Sequence, residues 1–225
     1  MCKLETELFL MNVNTIINLA LLFLSAAAIL YIFIISKRHM KFKDEMNLKF
    51  LEAEDKANAV RKKEISPDLF FTPDMSELPP VDEGDPHKVE RCAKRKMIYF
   101  REPQTNLELK QEYGGAQVEY IAQFEENFHD FLKALTAWAT SLAEKGDDAS
   151  IKQSLWILGY AIAHGSEFRR TYRLAADLYA QARDTNTLHA LFETAERQHF
   201  KDPAIRLHIL EYINEKINQI EGNPA

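Results

Sequence analysis

Two Glu-x-x-His pairs are the residues whose types and spacing could bind a metal ion in this chain. Glu126 and His129 form one pair, and Glu196 and His199 form the other. Residues three positions apart lie on one side of a helix, and di-iron four-helix bundles use this spacing to place a carboxylate and an imidazole together. Such a site also needs further inward-facing Glu residues on long helices, and His129 directly follows Phe128, off the centre of the apolar face. We therefore interpret both pairs as chance spacing and expect no metal site.

Catalytic motifs would be the other sign of chemistry. The sequence contains no His-Glu-x-x-His, Cys-x-x-Cys, phosphate-binding loop or dinucleotide-binding glycine pattern, and Gly165 does not belong to a nucleophile elbow. We predict a protein that is not an enzyme and that binds no cofactor.

A basic stretch near residue 95 could indicate nucleic-acid binding. It comprises Lys88, Arg91, Lys94, Arg95, Lys96 and Arg101. The chain as a whole carries a net charge of -6, and the neighbouring residues 64–85 contain seven acidic residues and no basic one. Because opposite charges this close along the chain attract each other, we predict that the stretch pairs with the acidic segment, with lipid headgroups as an alternative and no nucleic-acid partner.

One uncharged apolar segment lies near the N-terminus of the 225-residue chain. Residues 15–35 contain no charged side chain, and the segment includes Thr15, Leu22, Ile29 and Ile35. A helix of these 21 residues is about 30 Å long, the thickness of the hydrocarbon core of a bilayer. A cleaved signal sequence has a shorter apolar core and a basic start. We therefore predict a transmembrane helix over residues 15–36 that stays in the protein.

The charges beside this segment predict its orientation. Lys37, Arg38, Lys41 and Lys43 follow it, whereas only Lys3 precedes it. Positive charges favour the cytoplasmic side, so we predict a single-pass cell-membrane protein with residues 1–14 outside and residues 37–225 in the cytoplasm. Each of the four cations near anionic headgroups adds roughly 1 kcal/mol of attraction.

Residues 37–63 predict a second, basic helix beside the membrane. They contain nine basic and five acidic residues, a charge of +4, and neither Gly nor Pro. Phe42, Met46 and Phe50 begin an apolar stripe at helical spacing. We expect the stripe to pack on the cytoplasmic domain; a short coiled coil that pairs two copies into a homodimer is the alternative.

Residues 64–85 interrupt the helical pattern. They carry their seven acidic residues together with prolines at positions 67, 73, 79 and 80, a composition that favours extended chain. A purely flexible linker would not need apolar side chains, but this acidic strap has Phe70, Phe71, Met75, Leu78 and Val81. We predict that these side chains dock onto the helical domain, and an external partner groove is the alternative.

From residue 86 to 221, helix start and stop signals recur. Thr105 and Glu108 have the spacing of a capping box. Asp202-Pro203 is typical of a helix start, and Gly146 and Gly165 are typical of helix ends. The signals and the apolar spacing predict helices over residues 86–102, 106–113, 116–145, 148–164, 166–183, 185–199 and from 203 onward. Because no segment alternates with period two, we predict an all-α domain without a sheet, followed by a tail at 222–225.

The last helices repeat with a shift of 36 residues, which aligns Trp138 with Leu174, Leu155 with Leu191 and Gly159 with Ala195. The second unit, from Thr171, carries the apolar pattern Leu174, Ala175, Leu178, Tyr179, Leu188, Leu191 and Ala195, with Pro203 after it. Over about residues 134–220 the pattern resembles the tetratricopeptide repeat (TPR), with the last helix as a cap. The resemblance implies a stack of antiparallel helical hairpins that binds a peptide or protein on its concave face.

Residues on the first helix of a hairpin, off its apolar stripe, would line that concave face. For the second unit these are Arg169, Arg170, Tyr172, Arg173 and Asp177. We predict a membrane-anchored, non-catalytic adaptor whose partners are the bilayer and a protein or peptide. The alternative is a small subunit of a membrane complex that contacts its partners through the transmembrane helix, where residues 25–28 form a small-residue surface.

Overall fold

The structure is a computed structural model that describes residues 2–80, 86–102 and 104–222, apart from the side chains of residues 2–17, 19, 20, 26, 27 and 86. Val81 of the acidic strap and most of the predicted tail lie outside this part. The described chain is mostly helical, with eight α-helices, and it divides into two units, residues 1–56 and 57–225.

The first unit is formed by a single helix, α1, which spans Cys2–Asn58. The sequence predicted two helices, 15–36 and 37–63, but the structure has no break between them. Neither Gly nor Pro occurs anywhere from residue 15 to residue 63, so nothing in the sequence interrupts the backbone hydrogen bonds at residue 36.

The end of α1 at Asn58, before the predicted end at residue 63, has a tertiary cause. The Lys63 backbone N–H donates to the Tyr113 carbonyl oxygen at 3.0 Å, and the Gln117 side-chain amide donates to the Lys63 carbonyl oxygen at 2.7 Å. These two bonds, here named the Lys63 clamp, require Lys63 to leave the helix. Gly114 makes the close approach possible: its φ is +84°, and a Cβ there would lie 3.0 Å from the carbonyl oxygens of Val60 and Arg61.

The acidic strap and the segment after residue 86 form short elements. A 3-10 turn at Pro67–Leu69 leads into strand β1 (Phe70–Phe71), which pairs antiparallel with strand β2 (Met97–Ile98). Helix α2 covers only Pro86–Ala93. The predictions of one helix over residues 86–102 and of no sheet were therefore wrong. Strands of two residues are too short to show alternation, and both β2 side chains are buried.

The strap docks on the helical domain, as predicted. The Phe71 ring lies 5.1 Å from the Phe128 ring, and the Phe70 ring lies 5.5 Å from the Phe124 ring. Leu78 is buried in the main core, and Met75 packs against it. The apolar side chains of the strap therefore complete the core of the second unit.

The remaining helices follow the predicted order. They are α3 (Asn106–Tyr113), α4 (Gly115–Ala143), α5 (Asp148–Ala163), α6 (Arg169–Gln181), α7 (Thr185–Arg197) and α8 (Pro203–Glu221). Thr105 and Glu108 form the predicted capping box, and Asp202 caps α8. Helix α6 starts three residues later than predicted. The reason is that Ser166 is buried and its hydroxyl is hydrogen-bonded to the Thr171 hydroxyl at 3.1 Å.

Each helix from α4 to α8 packs against the next one in the chain, and α6 also contacts α4 and α8. Trp138, Leu158, Tyr172 and Ile213 from these helices meet in the main core and are at most 2% exposed. The alternate helices α4, α6 and α8 therefore lie side by side.

Candidate functional site

A groove lies between α4, α6 and α8. Its main part is a cavity of about 660 Å³, and an adjacent cavity of about 310 Å³ shares the lining residues Thr140, Leu174 and Asp177 with it. We name it the α4/α6/α8 groove. Its lining residues are Thr140, Ala143, Glu144, Arg170, Arg173, Leu174, Asp177, Leu178, Ala180, Gln181, Arg183, Lys216, Gln219 and Ile220.

The groove combines an apolar floor with a charged rim. Leu174, Leu178 and Ile220 belong to the main core or pack against it, so their position is fixed by the packing of the three helices. Polar and charged side chains, among them Gln181 and the arginines, surround this floor. A surface of this kind can bury apolar side chains of a partner and pair with its charged groups.

Asp177 lies at the centre of a hydrogen-bonded network that joins α6 to α8. The Lys216 ammonium lies 2.8 Å from its carboxylate, and the Tyr212 hydroxyl donates to the same oxygen at 2.7 Å. The Arg173 guanidinium lies over the Tyr212 ring, 4.3 Å from its centroid, in a cation–π contact. The network fixes the position of Arg173 at the rim.

The network also fixes the charge of Lys216. The hydrogen bond to Asp177 raises the pKa of the Lys216 ammonium above its usual value, and burial opposes this effect more weakly. Lys216 therefore stays protonated at neutral pH.

The structure brings together three of the five predicted groove residues. Arg170, Arg173 and Asp177 line the groove, whereas Arg169 is exposed but does not line it. Tyr172 is fully buried, so its prediction as a groove residue was wrong. Its hydroxyl donates to the Gln198 side-chain oxygen at 2.6 Å, and burial raises the pKa of the Tyr172 hydroxyl.

Sequence reasoning missed the part of the groove that α8 supplies. Tyr212, Lys216 and Ile220 were overlooked because α8 was interpreted only as a cap. For α6, polar residues beside the apolar stripe were predicted to line the groove. The same rule applied to α8 selects Tyr212 and Lys216, which lie next to Ile213 and Ile217 of its apolar stripe. Arg183 gave no signal in the sequence, since it lies in the turn after α6.

Glu126 and His129 of the first Glu-x-x-His pair contact other side chains. Glu126 pairs with Lys133 at 3.3 Å, and the His129 ring lies 6.0 Å from the Phe168 ring. Helix α7 ends at Arg197, so His199 is not on the same helix as Glu196. Burial lowers the pKa of His129. Among the residues described, no three His, Cys, Asp or Glu side chains are grouped so as to hold a metal ion.

One cation of the basic stretch pairs outside the acidic strap, and the predicted pairing with the strap stays a prediction because Asp82, Glu83 and Asp85 lie outside the described residues. The Arg95 guanidinium lies 3.3 Å from the carboxylate of Asp130 on α4, and not on the acidic strap. Lys96 does contact the strap, but through the Phe70 ring, whose centroid lies 5.7 Å from its ammonium. The carboxylate that pairs with Arg95 therefore belongs to the helix that carries the core.

The first unit provides the other candidate surface. In the described residues, Leu21–Asn58 of α1 is the one helical stretch long and apolar enough to cross a membrane, and it contains an 18-residue window with a mean hydropathy of 1.8. Thr15 lies earlier in the same helix, and Leu22, Ile29 and Ile35 are 67%, 68% and 47% exposed. Lys37, Arg38, Lys41 and Lys43 follow on α1 and are exposed, as are Phe42, Met46 and Phe50. The Lys37 ammonium lies over the Phe33 ring, 5.0 Å from its centroid.

No protein-family model matches the chain, and no curated protein or solved structure is significantly similar to it.

Proposed function

We propose that this chain is a membrane-anchored, non-catalytic adaptor that binds a segment of a partner protein in the α4/α6/α8 groove. The observation that carries the proposal is the groove itself, where three alternate helices supply a fixed apolar floor and a charged rim. The arrangement agrees with the concave face that the TPR resemblance implies.

The anchoring half of the proposal rests on α1. The apolar side chains of residues 21–24 and 28–35 are exposed over consecutive turns, far beyond the apolar patches that soluble monomers present to water. Insertion into a bilayer would bury them, with the N-terminus outside and Lys37, Arg38, Lys41 and Lys43 at the cytoplasmic headgroups. Tethering raises the effective concentration of the groove toward other proteins held at the membrane.

Photocrosslinking from the groove tests the binding half. A photoreactive amino acid in place of the exposed groove residue Gln181 is expected to capture a partner in cells, and the same amino acid at Lys152 on α5, outside the groove, is not. Leu174→Arg, which puts a charge on the floor, should abolish the adduct. An adduct of equal yield from Lys152, or one unaffected by Leu174→Arg, would contradict groove binding.

Replacement of the anchor separates this function from the alternative of a complex subunit. The Gln181 adduct should persist when residues 1–36 are replaced by an unrelated transmembrane helix. A subunit that contacts its partners through the span would lose them. The Ser25 hydroxyl donates to the Leu22 carbonyl within α1 at 2.9 Å, so its one donor hydrogen is already used inside the helix. We therefore favour the adaptor.

A further inference from the structure

The charge of the α4/α6/α8 groove differs in sign from that of the chain. Its lining carries four cations, Arg170, Arg173, Arg183 and Lys216, and two carboxylates, Glu144 and Asp177, a net charge of +2. The whole chain carries -6. Resting on the function proposed above, we infer that the groove selects acidic segments of its partner, in which Asp or Glu side chains flank an apolar one.

The three arginines have unused capacity for carboxylates. Asp177 is already satisfied by Lys216 and by the Tyr212 hydroxyl. Within the described part of the chain, none of Arg170, Arg173 and Arg183 lies within ion-pair distance of an acidic side chain. A guanidinium presents a planar fork of N–H donors that matches the two oxygens of a carboxylate. Incoming Asp or Glu side chains would therefore gain partners without breaking an existing ion pair.

Arg173 is held in position before a partner arrives. Its guanidinium packs on the face of the Tyr212 ring, and the Tyr212 hydroxyl is bonded to Asp177. Contact with a ring face leaves the edge of the guanidinium free to donate. A side chain that is already ordered loses less conformational entropy on binding, so Arg173 is the cation expected to contribute most.

The floor adds a requirement for an apolar side chain. Leu174, Leu178 and Ile220 line the same groove as the cations, together with the small side chains of Ala143 and Ala180. A polyanion without apolar groups would leave this floor uncovered, and an apolar peptide without acids would leave the arginines unpaired. The combination of both groups distinguishes the expected ligand from a lipid headgroup, which offers charge alone to this surface.

Selection from a random peptide library displayed on phage tests the inference. The bait is the full-length chain in mild detergent, and the matched variants are Arg170→Glu/Arg173→Glu and Arg169→Glu. Arg169 lies on the same helix and is also exposed, but it does not line the groove. We expect selected peptides to be enriched in Asp or Glu around an apolar residue. We expect them to bind the double variant at least about tenfold more weakly, and Arg169→Glu as tightly as the parent chain.

Two further measurements complete the test. Circular dichroism establishes that the variants fold, and Arg170→Gln/Arg173→Gln replaces the double Glu variant if that one does not. Added salt should weaken the binding of the selected peptides, because the ion pairs are exposed.

Each alternative outcome has a distinct meaning. Peptides that lose binding on Leu174→Arg but carry no excess of acidic residues would overturn the acidic preference and leave the groove as a binding site. Failure to select any peptide that depends on groove residues would overturn both proposals. If the double variant loses binding to vesicles of anionic lipid while peptide binding is unchanged, the arginines serve the membrane and the inference is wrong.

Discussion

The ring of Tyr99 lies directly against the backbone of Gly165, in the space that the Cβ of any other residue would occupy. Gly165 follows α5 with a φ of +81°, and a Cβ there would collide with the Tyr99 hydroxyl. Tyr99 in turn stacks on Phe128, with their ring centroids 4.9 Å apart. The segment after β2 is thus fitted to one particular glycine in the α5–α6 turn.

Gly165→Ala should consequently destabilise the protein by about 2 kcal/mol or more, from left-handed backbone strain and overpacking together. The measurement is the free energy of unfolding from denaturant titration of the full chain in detergent. Gly146→Ala is the matched control, because its φ is +75° but no atom lies within 4 Å of the added Cβ. Equal losses of unfolding free energy in the two variants would show that the Tyr99 contact does not contribute to stability.

Arg183 adopts a backbone conformation that favours glycine. It follows α6 with a φ of +53° and is the one non-glycine residue with positive φ in the described chain. Arg183→Gly should stabilise the protein by about 0.5 to 1 kcal/mol, since the relief of strain exceeds the entropy cost of glycine. Arg183→Ala removes the same side chain and keeps the strain, so its stability should stay near that of the parent. A gain of equal size from both variants would point to the side chain instead.

Glu167 gives a pH-dependent prediction. Burial is the main cause that raises the pKa of the Glu167 carboxyl above its usual 4.5, although the carboxylate accepts a hydrogen bond from the Lys201 backbone N–H at 3.0 Å. A raised pKa in the folded state means that the carboxyl favours folding most when protonated, below pH 4.5, and loses this contribution as pH rises through the folded value.

Glu167→Gln keeps an oxygen acceptor and removes the charge. The variant should therefore be more stable than the parent at pH 7, and the difference should shrink as the pH falls to 4.5. Thermal unfolding at a series of pH values measures this. Glu193→Gln on the exposed face of α7 makes the same chemical change at a surface carboxylate and serves as the control. A difference that grows on acidification would refute the sign assigned to Glu167.

The orientation of the chain in the membrane can be tested with cysteines. Cys92 is buried, at 4% exposure, so its labelling would report the fold rather than the topology. Ala122→Cys places a thiol on an exposed position of α4. We expect a membrane-impermeant maleimide to label Cys2 in intact cells and to reach the introduced thiol only after the cells are opened. Labelling of the introduced thiol in intact cells would invert the proposed topology, and a Cys2→Ser background separates the two signals.

Local signals in the sequence predicted the helices well where a cap decides the boundary. Thr105 with Glu108, and Asp202 before Pro203, make the hydrogen bonds that their spacing indicated. Helix α1 also continues past residue 36 for a local reason, since no helix-breaking residue interrupts the sequence there. Its end at Asn58 was not, because Lys63 is drawn out of the helix by Tyr113 and Gln117, which lie far along the chain.

The candidate site shows the same division. Arg170, Arg173 and Asp177 were predictable because they lie on α6 outside its apolar stripe. Tyr172 was not, because an aromatic ring with one polar atom suits either a groove or a core. The structure places it in the core, where the Gln198 side chain accepts its hydrogen bond. The pairing of Asp177 with Lys216 required knowledge that α6 and α8 are neighbours, which no local pattern contains.

The Lys63 clamp also determines how the second unit would bear a mechanical load. Under tension applied to the chain ahead of Val60, the two hydrogen bonds to Tyr113 and Gln117 would resist the pull, because they join Lys63 to the junction of α3 and α4. The β1 residues Phe70 and Phe71 follow the clamp in the chain and are shielded from a pull until those bonds rupture. A tethered protein of this design would yield first at its attachment point and keep its aromatic packing intact.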